Sequence, residues 1–289
     1  GNLEYICERP YEEDKSLDAK VWECLHIGHM MERADRFDII HNNYDFLPLT
    51  YSRLIDTPMV TTIHGFSSAS IIPVFKEYND TGYYVSISNA DRSSELEYIA
   101  TVYNGINVEE FTLNEQRGDY LLYFGRIHHD KGTFEAIQVA KKAAKRLIIS
   151  GIIQDQNYFA EKVEPFINDD DIVFVGSSGP QKRDKLLGGA YALLHPINFA
   201  EPFGLSVAES MLCGTPVIAF NKGSMPEIIA HGKTGFLVND IAEAAAALDD
   251  IKQIDRSYCR QWCASHFSRE KMVEDYLKVY EKILGISQR

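Results

Sequence analysis

From Arg36 onward the chain alternates short β-rich runs with helical runs. Few patterns restrict topology more, because strands separated by helices must pair in parallel, with the helices covering the faces of the sheet. A first series reads FDIIH, a helical DFLPLTYSRLI, MVTTIH, and YYVSIS followed by a helical NADRSSELEYI. A second begins at YLLYFG and runs through the helix FEAIQVAKKAAK, the strand RLIISG, a helix near FAEKVEPFI, the strand DIVFVG, the helix KRDKLLG and the strand YALLHP. It continues with a helix opening at Gly204 and the strand TPVIAF. That is a full doubly wound α/β lobe. Between the series lies YNGINVEEFTLNEQRGD, polar and turn-rich, with Asn104-Gly105 as its turn signal, and the interdomain linker is expected there.

A chain of 289 residues is long for one compact domain, since single hydrophobic cores stop growing at about 250–300 residues, so two lobes are expected. We place an N-terminal lobe at 1–110 and a nucleotide-binding lobe at 111–270, with a closing helix at 271–289 that packs back toward the first lobe. The first lobe shows only three good βα units and reads as incomplete at its front. Ile241 to Ile286 reads as helical throughout, from AEAAAAL to the amphipathic YLKVYEKIL.

Composition narrows the function. A net charge of −13 argues against nucleic acid and anionic lipid as partners, since both need concentrated Lys and Arg. No apolar run approaches a membrane span, and the polar opening GNLEYICERPYEEDKSLD has no signal-peptide pattern, so a cytoplasmic protein is expected. The five cysteines follow no zinc or disulfide spacing. Cys259, Cys263 and His266 share a helix face, but Trp262 and Phe267 beside them favour packing over a metal.

Ligands of open α/β sheets bind at the carboxyl ends of strands, where loops meet helix N-termini. EPFGLSVAESMLCGTPVIAF occupies such a place: Glu201 precedes a Pro-Phe-Gly turn, and Glu209 follows inside the helix. The backbone N–H groups of Phe203, Gly204 and Leu205 would face a ligand, and the helix dipole favours an anion. The strand ending in FGRIHHDKG brings Gly125, Arg126 and Lys131 to the same edge. Two cations and a helix N-terminus in an acidic protein point to a diphosphate, with Glu201 and Glu209 reaching hydroxyls on either side of it.

Together these motifs resemble the retaining glycosyltransferases of family 4, which have the GT-B fold of two Rossmann-like lobes. FGRIHHDKG is similar to the family's donor-phosphate motif and EPFGLSVAESMLCGTPVIA to its E-x7-E signature. GSMPEII, HGKTGFLV, DIIHNN, TTIHG, SISNADR and YNGI follow the same pattern. The resemblance implies that Arg126 and Lys131 bind the donor diphosphate, Glu209 the ribose and Glu201 the sugar hydroxyls, with His64 contributing from the first lobe. Glu201, His64, Arg126 and Lys131 are then the catalytic set. On this resemblance the family's usual opening strand and glycine-rich loop are expected to be missing from the first lobe.

The activity implied is transfer of a hexose from a nucleotide-diphosphate sugar, UDP before GDP, to a hydroxyl of a saccharide, lipid or small-molecule acceptor, with retention and without a metal or other cofactor. The alternatives are a donor-binding fragment with weak or hydrolytic activity and a sugar-nucleotide epimerase of the same fold. Asp169-Asp170-Asp171 mimics a metal-binding D-x-D but precedes its strand, at the wrong end for a ligand. His128 and His129 read as exposed loop residues.

Overall fold

The computed structural model describes residues 3–7, 9, 13–14, 16–66, 68–168 and 170–287. The chain divides into two compact units: Gly1–Ser86 with Ser93–Thr101 and Tyr276–Arg289, and Ile87–Arg92 with Val102–Asp275.

In the first unit, α1 (Ala19–Met31) starts at Asp18, whose carboxylate accepts from the N–H groups of Lys20 and Val21. After it come β1 (Ile40–Asn42), β2 (Met59–Ile63), α2 (Ile72–Glu77), β3 (Gly82–Ser86) and the short β4 (Ala100–Thr101). The strands pair in parallel in the order β1-β2-β3-β4. Every residue of β2 is buried, as a strand covered on both faces requires. Two expected helices take other forms. DFLPLTYSRLI is a 3-10 stretch, Leu47–Leu54, with Pro48 in its first turn. NADRSSELEYI forms turns, because the Ser88 and Ser93 hydroxyls and Asn79 and Tyr98 side chains take up the N–H groups a helix would need, those of Asp91, Glu95, Glu97 and Ser93.

The second unit runs β5 (Tyr120–Phe124), α3 (Thr133–Lys142), β6 (Arg146–Ser150), α4 (Gln156–Tyr158), β7 (Ile172–Phe174), α5 (Pro180–Gly188), β8 (Ala192–His195), α6 (Leu205–Leu212), β9 (Val217–Phe220), α7 (Met225–Ile228), β10 (Gly235–Val238), α8 (Ile241–Ala247) and α9 (Arg256–Phe267). Its six strands are parallel in the order β10-β9-β8-β5-β6-β7. Chain progression reverses between β5 and β8, which makes that pair the switch point of the sheet.

Three expectations need correction. The segment 103–119 is not a free linker. The guanidinium of Arg260 donates to the carbonyls of Val108 and Phe111, and that of Arg256 to Asn114, so the segment is bound into the second unit and the chain divides at Thr101–Val102. The C-terminal stretch is broken: Asp255 caps α9, Ser268 ends it, and α10 (Arg269–Ser287) restarts, with Tyr276 onward belonging to the first unit. There Tyr276 and Tyr280 meet the strands through Thr62 and His41, at 2.6 Å each. The helix expected near FAEKVEPFI is α4 continued by a π-turn and a 3-10 turn that contains Pro165. Of the acidic run, Asp169 lies outside the described residues; the N–H groups of Asp170 and Asp171 bond to the Asn168 side chain ahead of β7.

Candidate active site

The loops leaving the carboxyl ends of β5 and β8 lie side by side at the switch point. The β5 loop is shaped by Tyr123, whose hydroxyl donates to the carbonyl of Arg126 at 2.8 Å. It ends at Gly132, whose φ of +73° is open to glycine, and where a Cβ would stand 1.8 Å from the carbonyl oxygen of Pro196. The loops are further joined by Asn198, whose N–H donates to the Asp130 carbonyl at 2.7 Å. The β8 loop is braced from behind: the N–H of Ser224 donates to the carbonyl of Glu201 at 2.9 Å, and its hydroxyl to that of Phe203 at 2.8 Å. Gly223 comes so close that a Cβ there would lie 2.3 Å from the Glu201 nitrogen.

This frame brings Lys131 and Glu201 together, Nζ to Oε2 at 2.6 Å, with both side chains largely buried. The Lys131 ammonium also lies 4.4 Å from the centre of the Phe199 ring. Arg126 leans the other way and donates to Gln154 Oε1 in the loop after β6, at 2.9 Å. Gly125 sits at the end of β5, its N–H bonded to the Ser150 carbonyl. Gly204 caps α6 at φ +91° with no side-chain hydrogen bond to the helix, and the Val207 N–H bonds back to the Gly204 carbonyl at 3.0 Å. Phe203 gives only its backbone to this edge: its ring is buried against Tyr103 and Phe267. Leu205 is half exposed.

Glu209 is inside the helix and largely buried. Burial raises its carboxyl above the ordinary range, while Arg183 pulls it down and Glu110 pushes it up. Arg183, from α5, donates to Glu209 Oε1 at 3.0 Å, sits 3.5 Å from Glu110 Oε2 and lies over the Phe111 ring. Its Nε is buried with no hydrogen-bond partner among the described residues. The carboxylate expected to hold a ribose is thus oriented by a cation that sequence reasoning missed, since QKRDK reads as an ordinary charged helix face. His195 was missed as well. It is the last residue of β8, buried, with Nε2 at 3.7 Å from Glu201 Oε2; the only signal was a polar residue closing an apolar strand. Burial lowers its imidazole from 6.5 to about 4, so the ring is neutral, although Glu201 acts in the opposite sense.

His64 follows β2 in the first unit, with Nε2 at 3.0 Å from Asn43 Oδ1. His129 is exposed, but His128 is half-buried and its Nδ1 accepts from the Asp130 N–H. One ligand atom each from His128, His129 and Asp155 lies within 4.8 Å of the others, and among the described residues this is the group that could hold a cation. Cys259 and Cys263 are core residues: their thiols meet the carbonyls of Thr234 and Ala208, and burial pushes Cys259 up to about 12 and Cys263 higher still. His266 stacks on Trp262 at 4.0 Å, outside that pair.

A parallel sheet that brings a lysine, a carboxylate and a helix N-terminus to its switch point has the architecture in which open α/β sheets hold ligands. The family described as glycosyl transferases group 1 matches residues 107–262, and the chain belongs to this family of transferase enzymes. An uncharacterised 41.2 kDa protein of the cps region of Klebsiella pneumoniae is 30% identical over 168 residues, 56% of this chain and 46% of that one. The chain therefore spans about half of that relative's length. A glycogen synthase of Mycobacterium tuberculosis is 26% identical over an alignment of 324 residues, 94% of this chain and 78% of the relative. Among solved structures, the Anabaena protein Alr3699/HepE in complex with UDP-glucose superposes with a TM-score of 0.71 at 17% identity, over 89% of this chain and 82% of that one. The likeness shows a shared fold, the two parallel α/β lobes of the GT-B type.

Proposed function

We propose that the chain is a retaining glycosyltransferase that moves a hexose from a nucleotide-diphosphate sugar, UDP before GDP, to a hydroxyl of a saccharide, lipid or small-molecule acceptor. The observation that carries this reading is the convergence of Lys131, Glu201 and the α6 N-terminus on the β5/β8 switch point. The Anabaena structure contains UDP-glucose, which favours a UDP-sugar as the first donor to test.

When a sugar leaves a diphosphate, negative charge grows on the β-phosphate oxygen and positive charge on the sugar carbon. Donors already in place stabilise the first of these without reorganisation. Lys131, Arg126 and the amides around Gly204 are such donors, so the reading assigns no metal and no other cofactor. Glu209 accepts from the ribose hydroxyls and Glu201 from the sugar. The acceptor attacks the face that the phosphate leaves, the phosphate takes its proton, and no protein nucleophile is assigned. Glu201 and Glu209 serve as holding groups, unlike the flanking acid and nucleophile of a glycosidase. Among the described residues no helix is long and apolar enough to cross a membrane; the reading takes the reaction to be cytoplasmic.

The test is a melting-temperature panel of UDP-, GDP- and ADP-sugars followed by single-turnover assays with candidate hydroxyl acceptors. A ligand that binds only the folded state stabilises it by about 2.7 kcal/mol at a hundredfold excess over Kd. Nucleotide released only when an acceptor is present, with an axial or equatorial linkage matching the donor's, supports the reading. Conversion of the sugar nucleotide to its epimer, or no response to any nucleotide, overturns it.

A further inference from the structure

The buried end of β8 carries a polar atom that has no hydrogen-bond partner among the described residues. His195 is 7% exposed, and its Nε2 has no hydrogen-bond partner. Glu201 Oε2 lies 3.7 Å away, beyond hydrogen-bonding range, and that oxygen already receives the Lys131 ammonium at 2.6 Å. Buried polar atoms are nearly always paired, so an orphan in a native site asks for a missing partner. Here the ring is neutral, with one N–H and one bare nitrogen, and stands beside a carboxylate that only accepts. One simple group completes both: a hydroxyl, which accepts from an imidazole N–H while donating its own hydrogen to a carboxylate. An ammonium or a fluorine in the same place leaves one of the two unmet, and a hydrogen leaves both.

We propose that His195 is a specificity-determining residue, its Nε2 and the Glu201 carboxylate jointly clasping a single hydroxyl of the donor sugar. This rests on the nucleotide-sugar reading of the site. His195 is the last residue of an inner strand, its backbone held in register with Ala219 of β9, whereas a loop residue could follow several hydroxyls. The sugar is therefore selected at one carbon, and analogues lacking that hydroxyl leave the buried imidazole nitrogen without a partner, which sites of this kind reject strongly.

The experiment measures Kd and kcat/KM of the full chain, His195→Phe and His195→Gln against three kinds of probe. These are the bare nucleotide, the intact sugar nucleotide (UDP-glucose or GDP-mannose, whichever binds the wild type tighter), and that donor's monodeoxy analogues. The wild type is expected to lose tenfold or more with one deoxy analogue. His195→Phe is expected to lose a similar factor with the intact donor, to show no further loss with that analogue, and to bind the bare nucleotide within about threefold of wild type. His195→Gln, which keeps a side-chain N–H, recovers part of the discrimination. Deoxy discrimination that persists in His195→Phe overturns the inference, as does an equal loss for the bare nucleotide and the donor, which is what a merely structural role would give. A wild type that binds the bare nucleotide but treats all deoxy donors alike overturns the inference and leaves the reading of the site standing. A wild type that binds no nucleotide overturns both.

Discussion

Lys131 and Glu201 come from loops that follow different strands, β5 and β8, and meet across 2.6 Å at the switch point of the larger sheet. Each is the other's counter-ion in the absence of ligand, so an incoming diphosphate shares the ammonium with, or takes it from, a carboxylate. Hydrogen bonds to charged groups contribute about 1.5–3 kcal/mol each. Lys131→Ala and Arg126→Ala are each expected to weaken UDP or GDP binding by roughly ten- to a hundredfold in isothermal titration. Unchanged affinity in both variants would remove the phosphate assignment.

The two glutamates separate by ligand. Glu209→Ala is expected to weaken the bare nucleotide and the sugar nucleotide alike. Glu201→Ala releases Lys131 from its partner, so the bare nucleotide binds as well as before or better, while the sugar-bearing donor loses affinity. Matching losses for both ligands in both variants would refute this division.

Arg183 holds Glu209 at 3.0 Å and opposes the burial that raises its carboxyl. Arg183→Leu removes the pull toward ionisation, so Glu209 protonates more readily and accepts less well from a hydroxyl. Nucleotide affinity is expected to fall in the variant, and to fall further at pH 6 than at pH 8. A loss independent of pH would mean that Arg183 contributes only packing.

His195 couples stability to acid. Its imidazole titrates near 4 when folded and near 6.5 when unfolded, so between those values the unfolded chain binds a proton that the native chain refuses. The contribution is complete above about pH 6.5 and is lost as pH falls toward 4, with a span of roughly 3 kcal/mol. Glu201 and Lys131 face the ring but stay in place in His195→Gln, which has no such proton. The stability difference between wild type and His195→Gln in urea titrations should therefore shrink with acidification across that window. A constant difference would contradict a buried neutral histidine.

Local pattern and chemistry determined much of this protein before any coordinate. Alternating strands and helices, the Pro-Phe-Gly turn before α6, and cations after β5 are short-range features, and the parallel sheets, the switch-point loops and the family follow from them. The Ser-rich run after β3 misled, because helix propensity is a weak prior where side-chain oxygens compete for backbone N–H groups. So did the polar stretch 103–119, which looks like a linker until Arg256 and Arg260, more than a hundred positions away, take its carbonyls. Arg183 and His195 belong to the same class. Nothing adjacent in sequence distinguishes a guanidinium on a charged helix from a solvated one, or a histidine closing a strand from a core residue. Their meaning depends on which carboxylate the packed sheet sets beside them, at 3.0 Å and 3.7 Å, and that was decided only when the strands were brought into order.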